Sequence, residues 1–133
     1  MKIIAVFLVF IMCALSFVSC GNVAEVLIVE SSSEIYSEDD IDSAIYTAVS
    51  YFRRHFDGCT LTEIGYAGDD EIEGYREFAV RNGADEVIVL TSKFDVGTSG
   101  GDGSLNPNST YTGWKWILVR KHGGTWRHVD HGY

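Results

Sequence analysis

The segment Thr110–Tyr133, Thr-Tyr-Thr-Gly-Trp-Lys-Trp-Ile-Leu-Val-Arg-Lys-His-Gly-Gly-Thr-Trp-Arg-His-Val-Asp-His-Gly-Tyr, carries all three tryptophans of the chain. It reads as two strands joined at Gly123-Gly124, a pair able to adopt positive φ and close a hairpin. Strand side chains alternate between faces, so Ile117 and Val119 point one way while Trp114, Trp116 and Leu118 point the other. Both faces are apolar. Such a sheet must be covered on both sides, or must curl around a pocket on one.

Upstream, every local signal for a long helix agrees. Ser37 is a good N-cap, Glu38, Asp39 and Asp40 meet the positive end of the helix dipole, and Gly58 supplies a stop. Ile41, Ala44, Ile45, Ala48, Val49, Phe52 and Phe56 recur at three and four, which makes one broad apolar stripe destined for one face of the tryptophan sheet. Cys59–Tyr66 is rich in β-formers, and Asp85–Val96 has the unbroken apolar centre of a doubly covered strand. A shorter helix is expected from about Asp70 to Asn82, weakened by Gly74. Residues 97–109 hold too much glycine, with Pro107, for regular structure.

Val26–Val29 suits a short edge strand. The reading is therefore α+β: a long helix packed on a curved, mainly antiparallel sheet, with a two-layer ferredoxin-like sandwich as the alternative. The domain occupies 35–133, and 20–34 is a tether.

Composition narrows the function classes. The chain has 133 residues, 46% hydrophobic and 22% charged, with one proline, which suits one small globular domain. A net charge of −9 repels phosphate backbones, so nucleic acid is excluded as a natural partner. No spacing matches a cofactor signature.

Met1-Lys2 followed by an apolar run from Ile3 to Val18 has the layout of a secretory leader. Sixteen residues at about 1.5 Å each reach roughly 24 Å, short of a hydrocarbon core of about 30 Å. Phe17-Val18-Ser19-Cys20 resembles the lipobox of bacterial lipoproteins, with Phe17 where leucine is usual. The resemblance implies a signal peptide over 1–19, a lipid on Cys20, and a chain moored to the outer side of the cell membrane. Cys59 is then the one cysteine left in the body. Were Cys20 free, a Cys20–Cys59 disulfide would be its competing use.

Ser99–Tyr111, Trp116-Ile-Leu-Val-Arg120, the ending Trp126–Tyr133, Tyr36-Ser-Glu-Asp-Asp-Ile41 and Gly58–Ile64 together resemble a group of small lipoproteins of unknown function from gut-type Gram-positive bacteria. The element order, more loosely, is similar to the nuclear-transport-factor-two-like and cystatin-like folds. That resemblance implies a concave sheet face serving as a pocket for a small molecule, a peptide or a partner subunit.

Three sets of residues are candidates for a site. His128 and Asp130, two apart on the last strand, share a face and with a two-residue turn would lie beside Ile117 and Val119. As a general-base pair they would make a small pocket enzyme, and the plainer reading is a solvated strand end. His131 points to the opposite face, so the three converge on a metal only through a bulge. Asp102, Ser104, Asn106 and Asn108 alternate as oxygen donors, yet Pro107 and Gly113 stand where a calcium loop needs glycine and glutamate, which favours a polar turn. Tyr111, Trp114 and Trp116 beside that loop suit a binding groove, or simply core.

Ligand binding is thus assigned to Trp114, Trp116, Tyr111, Asp102, Asn106 and Asn108. Trp114 is the more exposed of the two indoles, and the space between helix and tryptophan strands is open unless Trp116 and Phe52 fill it. The function expected is a non-enzymatic, membrane-anchored module for an unidentified small molecule or protein. The alternatives are the His128/Asp130 enzyme and a module that pairs through its sheet.

Overall fold

A computed structural model describes residues 20–133, and the expected leader over 1–19 lies outside the described residues. The elements run β1 (Leu27–Val29), α1 (Glu38–His55), β2 (Cys59–Tyr66), a 3-10 segment (Asp69–Tyr75), α2 (Arg76–Arg81), β3 (Glu86–Val96), β4 (Thr110–Arg120) and β5 (Arg127–Gly132). The five strands form one open mixed sheet in chain order, β1 parallel to β2 and the rest an antiparallel meander. The chain is α+β. Consecutive strand order rules out the ferredoxin-like alternative, whose split βαβ units interleave strands.

α1 starts where the sequence places it. Ser37 Oγ accepts from the Asp40 N–H at 3.1 Å, and the Asp40 carboxylate accepts from the Ser37 N–H at 3.3 Å, a capping box closed by aspartate. Ile41, Ala44, Ile45, Ala48 and Phe52 are its buried stripe. They cover the sheet face that carries Ile88, Leu90, Phe94, Trp116 and Leu118, with Phe52 edge-on to Phe94 at 5.6 Å and to Trp116 at 6.3 Å.

The opposite face, with Val87, Val89, Ile117 and Val119, is covered by the 3-10 segment and α2. Ile72 and Ala79 are buried there, and Lys115 bonds Glu71 at 3.4 Å. Both apolar faces are roofed, as the hairpin requires. The expected single helix over 70–82 is instead a 3-10 turn followed by a short α-helix. Gly68 at its start offers no side-chain cap, and Gly74 removes helix propensity at the junction.

Three bulges interrupt the sheet registers. Thr62, Gly113 and Val129 are the extra residues where the β2–β3, β3–β4 and β4–β5 registers shift. Gly113 has φ 70°, a left-handed conformation that costs glycine nothing. Each bulge changes which residues share a face.

Within 20–34, expected as a tether with an edge strand, the chain is attached to the domain at Gly21 and Asn22. Gly21 is buried, its N–H bonds Arg53 O at 2.9 Å, and a Cβ there would lie 2.5 Å from Phe52 O. Asn22 bridges to Thr60, with Asn22 N bonding Cys59 O and Leu61 N bonding Asn22 O, both at 2.9 Å. The chain is fastened to the domain one residue after Cys20. β1 is the expected edge strand and leaves Leu27, Ile28 and Val29 exposed.

Candidate functional site

The middle of the seam between α1 and the sheet is filled, because Trp116 and Phe52 have no exposed surface. The opening lies farther along, at the end where β2 starts, β3 ends, β4 starts and β5 ends. There a cavity of about 310 Å³ is walled by Tyr51, His55 and Phe56 of α1, floored by Cys59, Trp114 and His131, and lidded by Gly101, Asp102, Ser104 and Leu105.

The lid is the glycine-rich loop, folded on itself by Leu105 N to Gly100 O (3.2 Å) and Asn108 N to Gly97 O (3.0 Å), and pinned to the domain by Gly97 N to Gly58 O (3.0 Å). Asp102 Oδ1 accepts from the Ser104 N–H at 3.0 Å and hydroxyl at 2.5 Å, which holds its carboxyl below the usual range. Asp102 thereby closes a polar turn with Ser104. Among the described residues no three His, Cys, Asp or Glu side chains gather as they would around a metal ion.

Of the six expected ligand-binding residues, the structure brings Trp114 and Asp102 to the cavity. Trp116 is instead buried core. Tyr111 stacks on Phe94 at 5.2 Å and its hydroxyl accepts from Asn106 N at 3.1 Å, so both brace the loop from outside the cavity. Asn108 takes the turn at φ 55°. Trp114 is half-buried against the full burial of Trp116, in the expected order. Its indole Nε1 is buried with no hydrogen-bond partner.

The expected pairing of His128 with Asp130 does not form. The bulge at Val129 sets His128 opposite Leu118, Asp130 opposite Ile117 and His131 opposite Trp116. His128 and His131 therefore share the α1 face, their Nε2 and Nδ1 atoms 3.1 Å apart, while Asp130 lies exposed on the other side and accepts from the His131 N–H at 2.8 Å. Tyr51 stacks on His128 at 4.0 Å and lies 4.3 Å from the His55 ring.

Burial, with the neighbouring His131 and His55, pushes His128 down to about 4 against the pull of Asp130; burial also lowers His131. Both rings are neutral at pH 7. The Cys59 thiol is pushed up by burial and then by Asp102 and Asp57, so it stays protonated and is a poor nucleophile. Cys20 and Cys59 are both free, without the disulfide that was their competing use.

This neutral imidazole pair makes stability depend on pH. Above about 6.5, the unfolded value, neither state is charged; as pH falls toward 4 the unfolded chain binds protons that the folded chain refuses, and stability drops. Allowing for partial exposure, the loss is on the order of 1–2 kcal/mol between pH 7 and pH 4.5. Urea midpoints across that range measure it, and His128→Phe is expected to flatten the slope. An unchanged slope in that variant would remove His128 as the cause.

Tyr51, His55 and Phe56 are not among the sequence candidates, and His131 is expected on the opposite face. Tyr51 and His55, at i and i+4 beside the apolar stripe, were the one readable signal. No family model matches the chain, and no curated protein or solved structure matches it.

Proposed function

We propose that this chain is a membrane-anchored, extracytoplasmic lipoprotein whose domain binds a small ligand without chemically changing it. The observation that carries the binding reading is the cavity at the end of the sheet, which at about 310 Å³ stands at the small end of ligand pockets. Its lining pairs the aromatic Trp114, Tyr51 and Phe56 with the polar Asp102, Ser104 and His131. The neutral His131 ring and the ionised Asp102 favour an uncharged, hydroxyl-bearing or a cationic ligand of about monosaccharide size over an anion.

The lipobox-like Phe17–Cys20 and the resemblance to small Gram-positive lipoproteins support the anchor. Helix α1 on the bent β2–β5 meander supports a place among cystatin-like or nuclear-transport-factor-two-like folds, with the parallel β1 as a departure. The separation of His128 from Asp130 and the raised Cys59 thiol favour binding over catalysis.

The test is a panel of monosaccharides, primary amines and small carboxylates followed by indole fluorescence and thermal shift. Hydroxylated or cationic members are expected to bind, and Trp114→Ala to weaken binding by tenfold or more, about 1.4 kcal/mol. Binding confined to carboxylates, or indifferent to Trp114, would refute this reading of the site.

A further inference from the structure

We infer that the cavity end of the domain is its membrane-facing end, seated directly on the bilayer by the absence of slack between Cys20 and the fold. This rests on the lipoprotein reading of Cys20 and goes beyond it by fixing orientation. A lipoprotein usually stands off from the membrane on a flexible linker, whose reach grows as roughly 5–6 Å times the square root of its length.

Here that length is zero. Cys20 is exposed, while Gly21 is buried, bonded through its N–H to Arg53 O at 2.9 Å, and so close to Phe52 O that no side chain fits. Asn22 then joins the β2 end through Cys59 O and Leu61 N.

The place where the chain is locked is also the place where the site is built. Arg53 sits two residues from Tyr51 and two from His55, and Cys59 both accepts from Asn22 and floors the cavity. The loop 97–109 hangs from the same end, because Gly97 N bonds Gly58 O. An acyl chain on Cys20 draws this end down to the headgroups. The opposite end, with the 121–125 turn, stands off by the length of β4, some 30 Å for an eleven-residue strand.

Charge does not decide the docking. Exposed Arg53 and Arg54 suit lipid phosphates, and exposed Asp57 and Asp102 offset them. The geometry of the anchor does. The cavity and its 97–109 lid therefore lie beside the headgroup layer.

The experiment is amide hydrogen exchange on the full chain, purified with its acyl group and reconstituted in phosphatidylglycerol/phosphatidylcholine vesicles. It is compared with a variant carrying eight Gly/Ser residues between Cys20 and Gly21 on the same vesicles. Exchange in 97–109 is expected to be roughly three- to tenfold slower in the native chain than in the linker variant, and equal in 121–125.

Equal exchange of 97–109 in the two chains would overturn the inference, as would slowing in 121–125. Incorporation of labelled fatty acid, lost in Cys20→Ala, is measured on the same preparations and separates the two failures. An acylated chain without the slowing refutes the orientation alone, whereas a chain that takes up no label refutes the anchor and the orientation with it.

Discussion

Trp116→Ala is expected to cost about 4–5 kcal/mol, a large share of the roughly 5–15 kcal/mol by which a domain of this size is stable. The indole has no exposed surface and lies within aromatic contact of Phe52, Phe56, Tyr51 and His131, at centroid distances of 6.3, 5.3, 6.0 and 5.2 Å. Its truncation leaves a cavity in the most tightly surrounded part of the seam. It also deletes the bond from Nε1 to Ser92 Oγ at 2.8 Å, while Ser92 continues to donate to Trp114 O at 3.0 Å. Urea unfolding followed by far-ultraviolet circular dichroism measures the loss. A cost below about 1.5 kcal/mol would mean that the helix and sheet are held elsewhere.

The second large effect belongs to Arg120, at the far end of the same seam. Its side chain is 9% exposed, bonds Glu86 through Nε at 2.5 Å and Asp40 through Nη1 at 2.9 Å, and lies over the Trp126 ring at 4.2 Å. Trp126 donates to Asp40 O at 3.0 Å, and the Tyr36 hydroxyl to Val87 O at 2.7 Å, so the cation closes a polar ring around the start of α1. Arg120→Met is expected to cost about 2–4 kcal/mol, because two half-buried carboxylates are left without their cation. Arg120→Lys keeps the charge but has no fork to reach both carboxylates, and is expected to lose about half as much. Equal stability of the Met and Lys variants would show that ring stacking, not the paired carboxylates, sets the effect.

Which features could be read from the sequence follows from how local their causes are. The Ser37 N-cap, the acidic first turn, the stripe through Phe52 and the stop at Gly58 all act within a few residues, and α1 lies where they place it. β2 over Cys59–Tyr66 and the irregular 97–109 likewise follow from composition. Gly21 is different, since nothing around it announces burial; its fit depends on the backbone of Phe52, 31 residues away. The 3-10 segment reflects a balance between Gly74 and the packing of Ile72. Arg120, Asp40 and Glu86 meet only once three elements are assembled. Strict alternation puts His128 and His131 on opposite faces, and alternation fails wherever a strand gains a residue.

Those added residues have a further consequence. Parity along β4 and β5 is reset at Gly113 and Val129, which is why Tyr111 joins Trp114 and why His128 joins His131 on the side of α1. A flat ladder of the same composition would send one member of each couple into solvent. The recess at the end of the seam thus depends on the bulges, and losing a single residue from either one would exchange inside for outside along the rest of its strand.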